Sequence, residues 1–428
     1  MSRPTNQNKI NILIFTLSPP LPANSGGPIY ITNTLIPLAE KYNLHLYVIG
    51  GLEEMDYVRK HKSLYDKYFC SVHIEPRAVM PQRKKFIGKL FHAIEHIFFG
   101  LPFMDVSYYS RSAVRNAKKI VAERSIQLME IHSSHLAFFK KFLPKIPSLL
   151  VSHNIESDIF PFWIPQNSNG FKKILKERVA RISRKNSYDV EIKNKWKFEH
   201  MTFISANDMA RVTAPEVEKT YIPLCLPVKN INYMSKVEPP IRLLWMGGFW
   251  WHPNAEGILW FVQFVLPLIK DKLIPLNIQL HFIGAVPPDE LVEIHDGKNI
   301  IVHGFVESIE DLLAETHLLF VPLLTGGGVR VKILEAMANG IPVISTSKGC
   351  EGLGATDGVD IVIRDDAKSF AEAMIDLAQS CEKRSQLSLA SQRLLEEKYN
   401  LRTCINIKDT IYQKLAHESD GGAIRLRL

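Results

Sequence analysis

The sequence predicts an α/β protein with two domains in tandem, each built around a parallel sheet. Short apolar runs typical of buried strands alternate with helical stretches through both halves of the 428 residues. The alternation is interrupted once, where four prolines gather between Ile222 and Pro240 among polar residues, as in an interdomain linker. We therefore expect domains at 1–230 and 241–395, followed by a helical segment at 396–428.

The first half opens as a βαβ unit, with a Gly/Pro-rich loop at Pro19–Pro28 after the first strand. Its predicted elements are the strand Asn11–Leu17, the helix Tyr30–Lys41, and the strands His45–Ile49, Ser148–Ser152 and Thr202–Ser205. The last two are short and apolar and are followed by polar residues, as at the carboxyl end of a parallel strand.

The second half repeats the alternation more regularly. Its predicted strands are Ile241–Met246, Ile278–Ile283, Ile300–Val302, Leu318–Val321, Pro342–Ser345 and Val359–Ile363. Its predicted helices are Ala255–Leu268, Ile309–Ala314, Val331–Ala338 and Ala367–Gln379. This order indicates a second doubly wound sheet.

Charge is divided unevenly between the halves. Residues 1–236 hold 34 Lys and Arg against 19 Asp and Glu, while the remainder holds 18 against 25. A basic first half favours an anionic surface or ligand, and we expect an acidic lipid rather than nucleic acid, because no nucleic-acid recognition motif accompanies the charge. The apolar stretch Ile12–Leu17 is too short for a signal peptide, and the five scattered cysteines fit a reducing cytosol, so we expect a cytoplasmic protein. The basic first half favours a peripheral position on the inner membrane face.

A glycine-rich turn between a predicted strand and helix is the strongest candidate site. Thr325–Gly328 joins Leu318–Val321 to Val331–Ala338, so free amides and a helix N-terminus meet at the carboxyl end of a strand, where anions bind. The candidate residues are Gly326, Gly327, Gly328, Arg330, Lys332 and Glu335. Cations there suit a diphosphate and the carboxylate suits sugar hydroxyls. A tight turn with solvated cations is the structural alternative, and the spacing excludes a Walker loop.

The segment from Gly326 to Leu353, GGGVRVKILEAMANGIPVISTSKGCEGL, resembles the donor-site signature of the group 1 glycosyltransferases of the GT-B fold, also called glycosyltransferase family 4. The resemblance extends through MGGFWWHPNAEGILWFV, LHFIGAVPP and IIVHGFVESIEDLLAETHLLFVPL in the second half. In the first half it depends on Gly26-Gly27, SHNIES and FISANDMARV. It implies two Rossmann-like domains facing a cleft, with the last helices crossing back to the first domain.

The resemblance also implies roles for individual residues. Glu335 is expected to hold the donor ribose, and the amides near Gly327 and Gly328 to meet the diphosphate, with no metal and no other cofactor. The family commonly has a second glutamate where this chain has Gly327, and often has Arg and Lys where it has Gly247 and Gly248. We therefore expect Gly248 at the donor site, and Arg330 and Lys332 as substitute phosphate ligands.

His153 and Glu156 follow the predicted strand Ser148–Ser152, which places them at the edge of the sheet. By resemblance the histidine faces the acceptor and the donor sugar. An imidazole there can take or share the proton of the acceptor hydroxyl, and Glu156 is a candidate to orient it. A histidine that satisfies backbone groups at a strand end is the alternative. Gly26 and Gly27 are expected in the first βα loop, where they let the acceptor or the diphosphate approach, or form an ordinary flexible turn.

Two basic segments in the first half are candidates for membrane contact. Phe86 to Phe98 carries an apolar stripe at helical spacing behind Arg83, Lys84 and Lys85. The second is a basic run made of Lys172, Lys173, Lys176, Arg178, Arg181, Arg184 and Lys185. An amphipathic helix packed on its own sheet is the alternative for the apolar stripe.

These features together predict a retaining, metal-independent glycosyltransferase that uses a nucleotide-diphosphate sugar and a glycan or lipid-linked acceptor, in polysaccharide or glycolipid synthesis. A catalytically degenerate nucleotide-binding partner subunit of the same fold remains open because of Gly327. A membrane-surface scaffold without a nucleotide site is a further alternative. A dinucleotide-dependent oxidoreductase is disfavoured because the first βα loop lacks the G-x-G-x-x-G pattern.

Overall fold

The computed structural model of the chain describes residues 5–23, 26–77, 108–159, 171–229, 239–306 and 308–425. The chain divides into two units. We call Met1–Pro223 with Arg402–Leu428 the N unit, and Leu224–Leu401 the C unit. The sequence-based boundaries lie at 230, 241 and 395, and the structural ones follow Pro223 and Leu401.

A seven-stranded parallel sheet forms the centre of the N unit, in the order β3-β2-β1-β4-β5-β6-β7. The strands are β1 (Asn11–Thr16), β2 (Asn43–Gly50), β3 (Ser71–Pro76), β4 (Leu128–His132), β5 (Ser148–Ser152), β6 (His200–Phe203) and β7 (Glu218–Tyr221). Strands β2, β4 and β5 are buried along their whole length, as expected for strands covered on both faces.

The helices of the N unit cover this sheet. They are α1 (Gly26–Leu35), α2 (Leu52–Lys60), α3 (Lys62–Tyr65), α4 (Arg111–Glu123), α5 (Phe138–Phe142), α6 (Glu156–Ile159), α7 (Phe171–Glu191), α8 (Ala206–Ala210) and the last helix, α16 (Leu401–Arg425). Short 3₁₀ helices lie at Ile36–Glu40 and Ser134–Leu136. The core between sheet and helices is aromatic: the rings of Phe15 and Phe139 stack with centroids 4.2 Å apart.

The C unit contains a second parallel sheet of six strands, in the order β10-β9-β8-β11-β12-β13. The strands are β8 (Ile241–Met246), β9 (Ile278–Ile283), β10 (Ile300–Gly304), β11 (Leu318–Val321), β12 (Val343–Ser345) and β13 (Val362–Ile363). The helices are α9 (His252–Trp260), α10 (Leu266–Leu273), α11 (Asp289–Glu293), α12 (Glu310–Glu315), α13 (Val331–Ala338), α14 (Ala367–Gln379) and α15 (Cys381–Lys398).

The predicted α/β class with two parallel sheets is confirmed, and several predicted elements differ in detail. The helix predicted at Ala255–Leu268 is α9, a π-helical turn at Phe261–Val265 and α10 in succession. The predictions omitted β3, β4 and β7, which carry polar residues. Polar side chains interrupt the apolar run by which a buried parallel strand is recognised.

Each strand order reverses direction once, between β1 and β4 in the first sheet and between β8 and β11 in the second. In open α/β sheets, ligands bind in the crevice outside the carboxyl ends of the strands at such a switch point. The loops after β8 and β11 meet at this place in the C unit, and the ends of β1 and β4 meet there in the N unit.

Candidate functional site

The glycine turn of the C unit lies at the switch point of its sheet, directly after β11. Gly326 and Gly328 have φ angles of 95° and 83°, a left-handed conformation that glycine adopts without strain. Among the described residues, none accepts a hydrogen bond from the amides of Gly326, Gly327 and Gly328. The turn therefore presents free backbone donors immediately before α13, the arrangement that binds phosphate groups.

Arg330, at the N-cap of α13, is buried and braces this turn. Its terminal nitrogens donate to the carbonyl oxygens of Gly327 at 2.8 Å, Gly326 at 2.9 Å and Lys348 at 3.2 Å. Burial lowers the pKa of Arg330. The sequence predicted Arg330 as a phosphate ligand. In the structure its terminal nitrogens are instead hydrogen-bonded to backbone carbonyl groups and stabilise the conformation of the loop.

Lys332 is the more open cation of the pair. Its ammonium lies 4.7 Å from the centroid of the Trp245 ring and donates to Asn254 Oδ1 at 2.9 Å. No carboxylate of the described residues forms an ion pair with it. Burial, and then the charge of Arg330, lower the pKa of Lys332 to about 7. A desolvated cation without a counter-charge is a site for an anion.

The loop after β8 provides the space for this ammonium. A Cβ added to Gly247 would lie 2.7 Å from Lys332 Nζ and 2.9 Å from Asn254 Nδ2, and its φ of 153° also disfavours a side chain. Asn254 joins the two loops, because its Nδ2 donates to the Gly248 carbonyl at 2.9 Å while its Oδ1 accepts from Lys332. Sequence reasoning missed Asn254, although the segment HPNAEG contains it.

Gly248 also lies in this loop, next to the exposed Trp250. A Cβ on Gly248 would lie 2.3 Å from Trp250 Nε1. The loops after β8 and β11 are tied together a second time, because Thr325 Oγ1 donates to the carboxylate of Glu256 on α9. Glu256 is a further residue that sequence reasoning did not select.

Glu335 lies one turn beyond Lys332 on α13 and is half-buried. Its carboxylate accepts no hydrogen bond from the described residues, and burial, with a smaller contribution from Glu310, raises its pKa. A carboxylate with unused acceptor capacity one turn beyond Lys332 can accept hydrogen bonds from hydroxyl groups such as those of a ribose. Gly327, where many relatives carry an acid by resemblance, faces open space: a Cβ added there would have no described atom within 4 Å.

His153 lies immediately after β5, the neighbour of β4, whose carboxyl end is at the switch point of the N-unit sheet. Its Nε2 is 3.1 Å from His132 Nδ1, and His132 Nε2 is 2.5 Å from Glu130 Oε1. Tyr30 of α1 packs edge-on against the His153 ring, with centroids 5.3 Å apart. Burial, then the charges of His132 and Lys408, lower the pKa of His153 to about 3, so the imidazole is neutral at physiological pH.

The predicted pairing of Glu156 with His153 is wrong in this structure. The carboxylate of Glu156 lies 3.6 Å from His135 Nε2, and its backbone amide donates to Glu191 Oε1 at 2.8 Å. The partner of His153 is His132 instead, because β4 and β5 are neighbours and their carboxyl ends meet. Sequence reasoning missed Glu130 and His132. Their spacing of two residues in an otherwise apolar strand, which places both on the same face, is the pattern that could have indicated them.

Gly26 and Gly27 begin α1 and are not in the predicted loop before it. A Cβ on Gly27 would meet nothing within 4 Å, so this end of the helix is open. The two glycines precede Tyr30 by about one turn, which places them at the same end of α1 as the ring that contacts His153.

The basic run forms part of α7, and the apolar stripe at Phe86 to Phe98 lies outside the described residues. On α7, Arg178, Arg181, Arg184 and Lys185 are exposed, together with Ile174 and Ile182. Positions 174, 178, 181, 182 and 185 follow helical spacing, so they share one face. This face combines cations with exposed apolar side chains.

Two kinds of feature are absent from the described residues. No cluster of three or more His, Cys, Asp or Glu side chains suitable for a metal ion occurs in the parts of the chain that the structure describes. Within the same ranges, no helix has both the length and the hydropathy that a membrane-spanning segment needs.

Comparison with known proteins adds a family match and structural relatives. Residues 240–380 match the family model of glycosyl transferases group 1. The chain is 24% identical over 396 residues to a Klebsiella pneumoniae protein named "Uncharacterized 44.6 kDa protein in cps region", covering 91% of this chain and 96% of that protein.

Two of the similar solved structures are Anabaena HepE and a sucrose-phosphate synthase. Anabaena HepE, in complex with UDP and glucose, has a TM-score of 0.58 at 14% identity, with 94% of this chain and all of that chain covered. Sucrose-phosphate synthase from Thermosynechococcus elongatus has a TM-score of 0.61 at 13% identity, covering 95% and 99%. The narrower assignment to glycosyltransferase family 4 stays a prediction. The chain thus has the fold of the GT-B glycosyltransferases, and it carries a glycosyl transferases group 1 domain at residues 240–380.

Proposed function

We propose that the chain is a retaining, metal-independent glycosyltransferase that moves a sugar from a nucleotide-diphosphate sugar to a glycan or lipid-linked acceptor. The observation that carries the proposal is the ammonium of Lys332, which has no carboxylate partner among the described residues, together with the free amides of the glycine turn just before it in the group 1 domain. In this proposal the donor diphosphate binds Lys332 and the turn, and Glu335 accepts hydrogen bonds from the ribose.

The reaction breaks the bond between the anomeric carbon and the diphosphate oxygen, whose electron pair leaves with the diphosphate. The acceptor hydroxyl oxygen forms the new bond to the same carbon. Its proton passes to the leaving diphosphate, while the neutral imidazole of His153 accepts a hydrogen bond from a hydroxyl of the sugar. Lys332 and the glycine amides stabilise the charge that develops on the leaving group, the kind of electrostatic contribution that is usually largest in catalysis.

The acceptor class is supported by two features. The relative in the cps region supports a role in cell-surface polysaccharide synthesis. The basic and apolar face of α7 favours an acceptor held at an anionic membrane surface, because interfacial helices combine both kinds of side chain. We accordingly place the enzyme on the cytoplasmic side of the membrane.

The first test is a thermal-shift screen with UDP, GDP, ADP, dTDP and CMP, followed by a transfer assay with the sugar nucleotide of the base that binds. UDP is the first choice because HepE holds it. Lys332→Ala and Glu335→Ala should each abolish the shift. An unchanged shift in both variants would contradict the assignment of the site.

Gly327 is the one observation that favours a second function, a nucleotide-binding partner subunit without catalysis. The position leaves open space where many relatives carry an acid by resemblance. Nucleotide binding without sugar transfer, in the presence of a membrane extract that supplies acceptors, would support this alternative over the enzyme.

A further inference from the structure

A line of buried polar side chains connects the last helix of the chain to His153. Lys408 on α16 donates to Glu130 Oε1 at 2.7 Å, and Tyr412, one turn further along, donates to Glu130 Oε2. The same Oε1 lies 2.5 Å from His132 Nε2, and His132 Nδ1 lies 3.1 Å from His153 Nε2. Glu130, His132 and Lys408 are each at most 2% exposed.

The carboxylate in this line is ionised. Burial alone would raise the pKa of Glu130, but the charges of Lys408 and His132 outweigh it and bring it down to about 2. Lys408 and Glu130 therefore form a buried ion pair, with a further donor from Tyr412. A charge buried in this way is retained only when its hydrogen bonds are satisfied, and here both carboxylate oxygens accept them.

An ionised Glu130 fixes where the protons lie on both imidazoles. The carboxylate only accepts, so His132 carries its proton on Nε2. A second proton on His132 would add a positive charge close to Lys408, and burial lowers its pKa despite the opposing effect of Glu130. His132 Nδ1 therefore carries a lone pair and accepts the hydrogen bond between the two rings. The nitrogen that faces it, His153 Nε2, carries the proton and donates that bond. The remaining nitrogen, His153 Nδ1, is left as an acceptor.

We infer that Glu130 and His132 are positioning residues that hold His153 in its Nε2–H tautomer and present Nδ1 as the hydrogen-bond acceptor for the sugar hydroxyl. Lys408 and Tyr412 of α16 keep Glu130 in the ionised form that this requires. The tautomer follows from the N unit alone. The use made of Nδ1 rests on the proposed function.

Among the described residues, Glu130 is the one carboxylate within hydrogen-bonding distance of this line. Tyr30 faces the line from α1, with its ring 5.8 Å from Lys408 Nζ and edge-on to His153. Lys408 Nζ also donates to Thr34 Oγ1 at 3.2 Å. Tyr30 and Tyr412 stay protonated because burial, and then the charge of Glu130, raise their pKa values. Glu130 is thus the anion that fixes the tautomer of both imidazoles.

The direct experiment is two-dimensional ¹⁵N–¹H spectroscopy of the full chain labelled at histidine, at pH 7, with His153→Gln used to assign the resonances. The expected result is a neutral His153 protonated on Nε2. Protonation on Nδ1, or an equal mixture of tautomers, would overturn the inference. This readout does not require a nucleotide or an acceptor, so it is independent of the proposed function.

The second experiment compares His132→Asn with His132→Leu, whose side chains have the same number of heavy atoms and the same branching at Cγ. The amide oxygen of the asparagine reaches the position of Nδ1 and accepts from His153, whereas leucine accepts nothing. We expect the leucine variant to lose about tenfold in kcat, as for one lost hydrogen bond of about 1.4 kcal/mol, with KM for the donor unchanged. The asparagine variant should retain the tautomer and most of kcat.

Equal losses in the two variants, with the tautomer unchanged in both, would overturn the positioning role. If neither variant folds, the wild-type spectrum still decides the tautomer. Failure of the wild-type chain to transfer sugar from any donor would contradict the proposed function and leave the spectroscopic result in place.

Discussion

The ammonium of Lys332 lies 4.7 Å above the ring of Trp245, although the two residues belong to different elements of the C unit. Trp245 is fully buried in β8, and Asn254 on α9 provides the only hydrogen bond to the ammonium among the described residues. A lysine held in this way costs stability in the free protein and is available to an anionic ligand.

Lys332→Met should remove nucleotide binding and stabilise the free protein. Replacing a poorly compensated buried charge by an apolar side chain of similar size stabilises by about 1 kcal/mol or more, or about 2–4 °C in Tm for a unit of this size. Because the unfolded state binds more protons between pH about 7 and about 10.4, stability of the wild type rises with pH there. The increase in the free energy of unfolding caused by Lys332→Met should therefore be larger at pH 7 than at pH 9.5.

The control for this variant is Lys272→Met. Lys272 is exposed on α10, which leads into the amino end of β9 and so lies at the opposite edge of the sheet. It should change neither nucleotide binding nor Tm. A Lys332→Met protein that binds nucleotide with wild-type affinity would contradict the assignment of Lys332.

Gly247→Ala should weaken nucleotide binding without removing any functional side chain. The added methyl group would lie 2.7 Å from Lys332 Nζ and 2.9 Å from Asn254 Nδ2, so the ammonium must move. We expect at least about a tenfold rise in Kd, measured by calorimetry, because about 1.4 kcal/mol of binding free energy corresponds to a factor of ten. Gly327→Ala, with nothing within 4 Å of its Cβ, serves as the control for Tm, which should remain at the wild-type value.

Anionic membranes should bind the chain through α7. Changing Arg178, Arg181 and Lys185 to glutamate reverses three exposed cations on the basic and apolar face of that helix, and each basic residue near an anionic surface contributes about 1 kcal/mol. Flotation with vesicles of phosphatidylserine and phosphatidylcholine should show binding by the wild type and none by this variant.

The matched control reverses three exposed cations on another helix of the N unit. Arg115, Lys118 and Lys119 lie on α4, so their replacement by glutamate makes the same change in net charge. Equal loss of flotation in the two triple variants would mean that overall charge decides binding and that α7 has no special part in it.

Sequence alone predicted the parts of the site that follow from local pattern. The strand at Leu318–Val321, the helix at Val331–Ala338 and the glycine turn between them are in the structure as expected. The separate roles of Arg330 and Lys332 were not predictable, because two cations two residues apart differ only in the direction of their side chains. That direction depends on the surrounding structure, namely the carbonyl groups of the turn for Arg330 and Trp245 for Lys332.

The N-unit site was harder to predict for a different reason. Glu130 and His132 interrupt the apolar pattern of β4, and the charge that makes their burial possible comes from Lys408, 278 residues along the chain from Glu130. Polar residues are placed in a buried strand only where tertiary partners satisfy them. A local pattern contains no information about such partners, so the strand and its two functional residues were both missed.

The buried pair also predicts how the N unit responds to acid. The pKa of Glu130 is about 2 in the folded chain and about 4.3 in an unfolded chain. The pair therefore contributes stability above pH about 4.3, and this contribution is lost as the pH falls towards 2.

Glu130→Gln should lower the free energy of unfolding by about 3 kcal/mol at pH 7, because it leaves Lys408 buried without a counter-charge. The double variant Glu130→Gln, Lys408→Met should recover most of that loss. Denaturant unfolding at pH 7 and pH 3 checks both expectations. Between the two pH values the free energy of unfolding should fall less for the double variant than for the wild type. An equal fall would show that Glu130 does not titrate as its contacts imply.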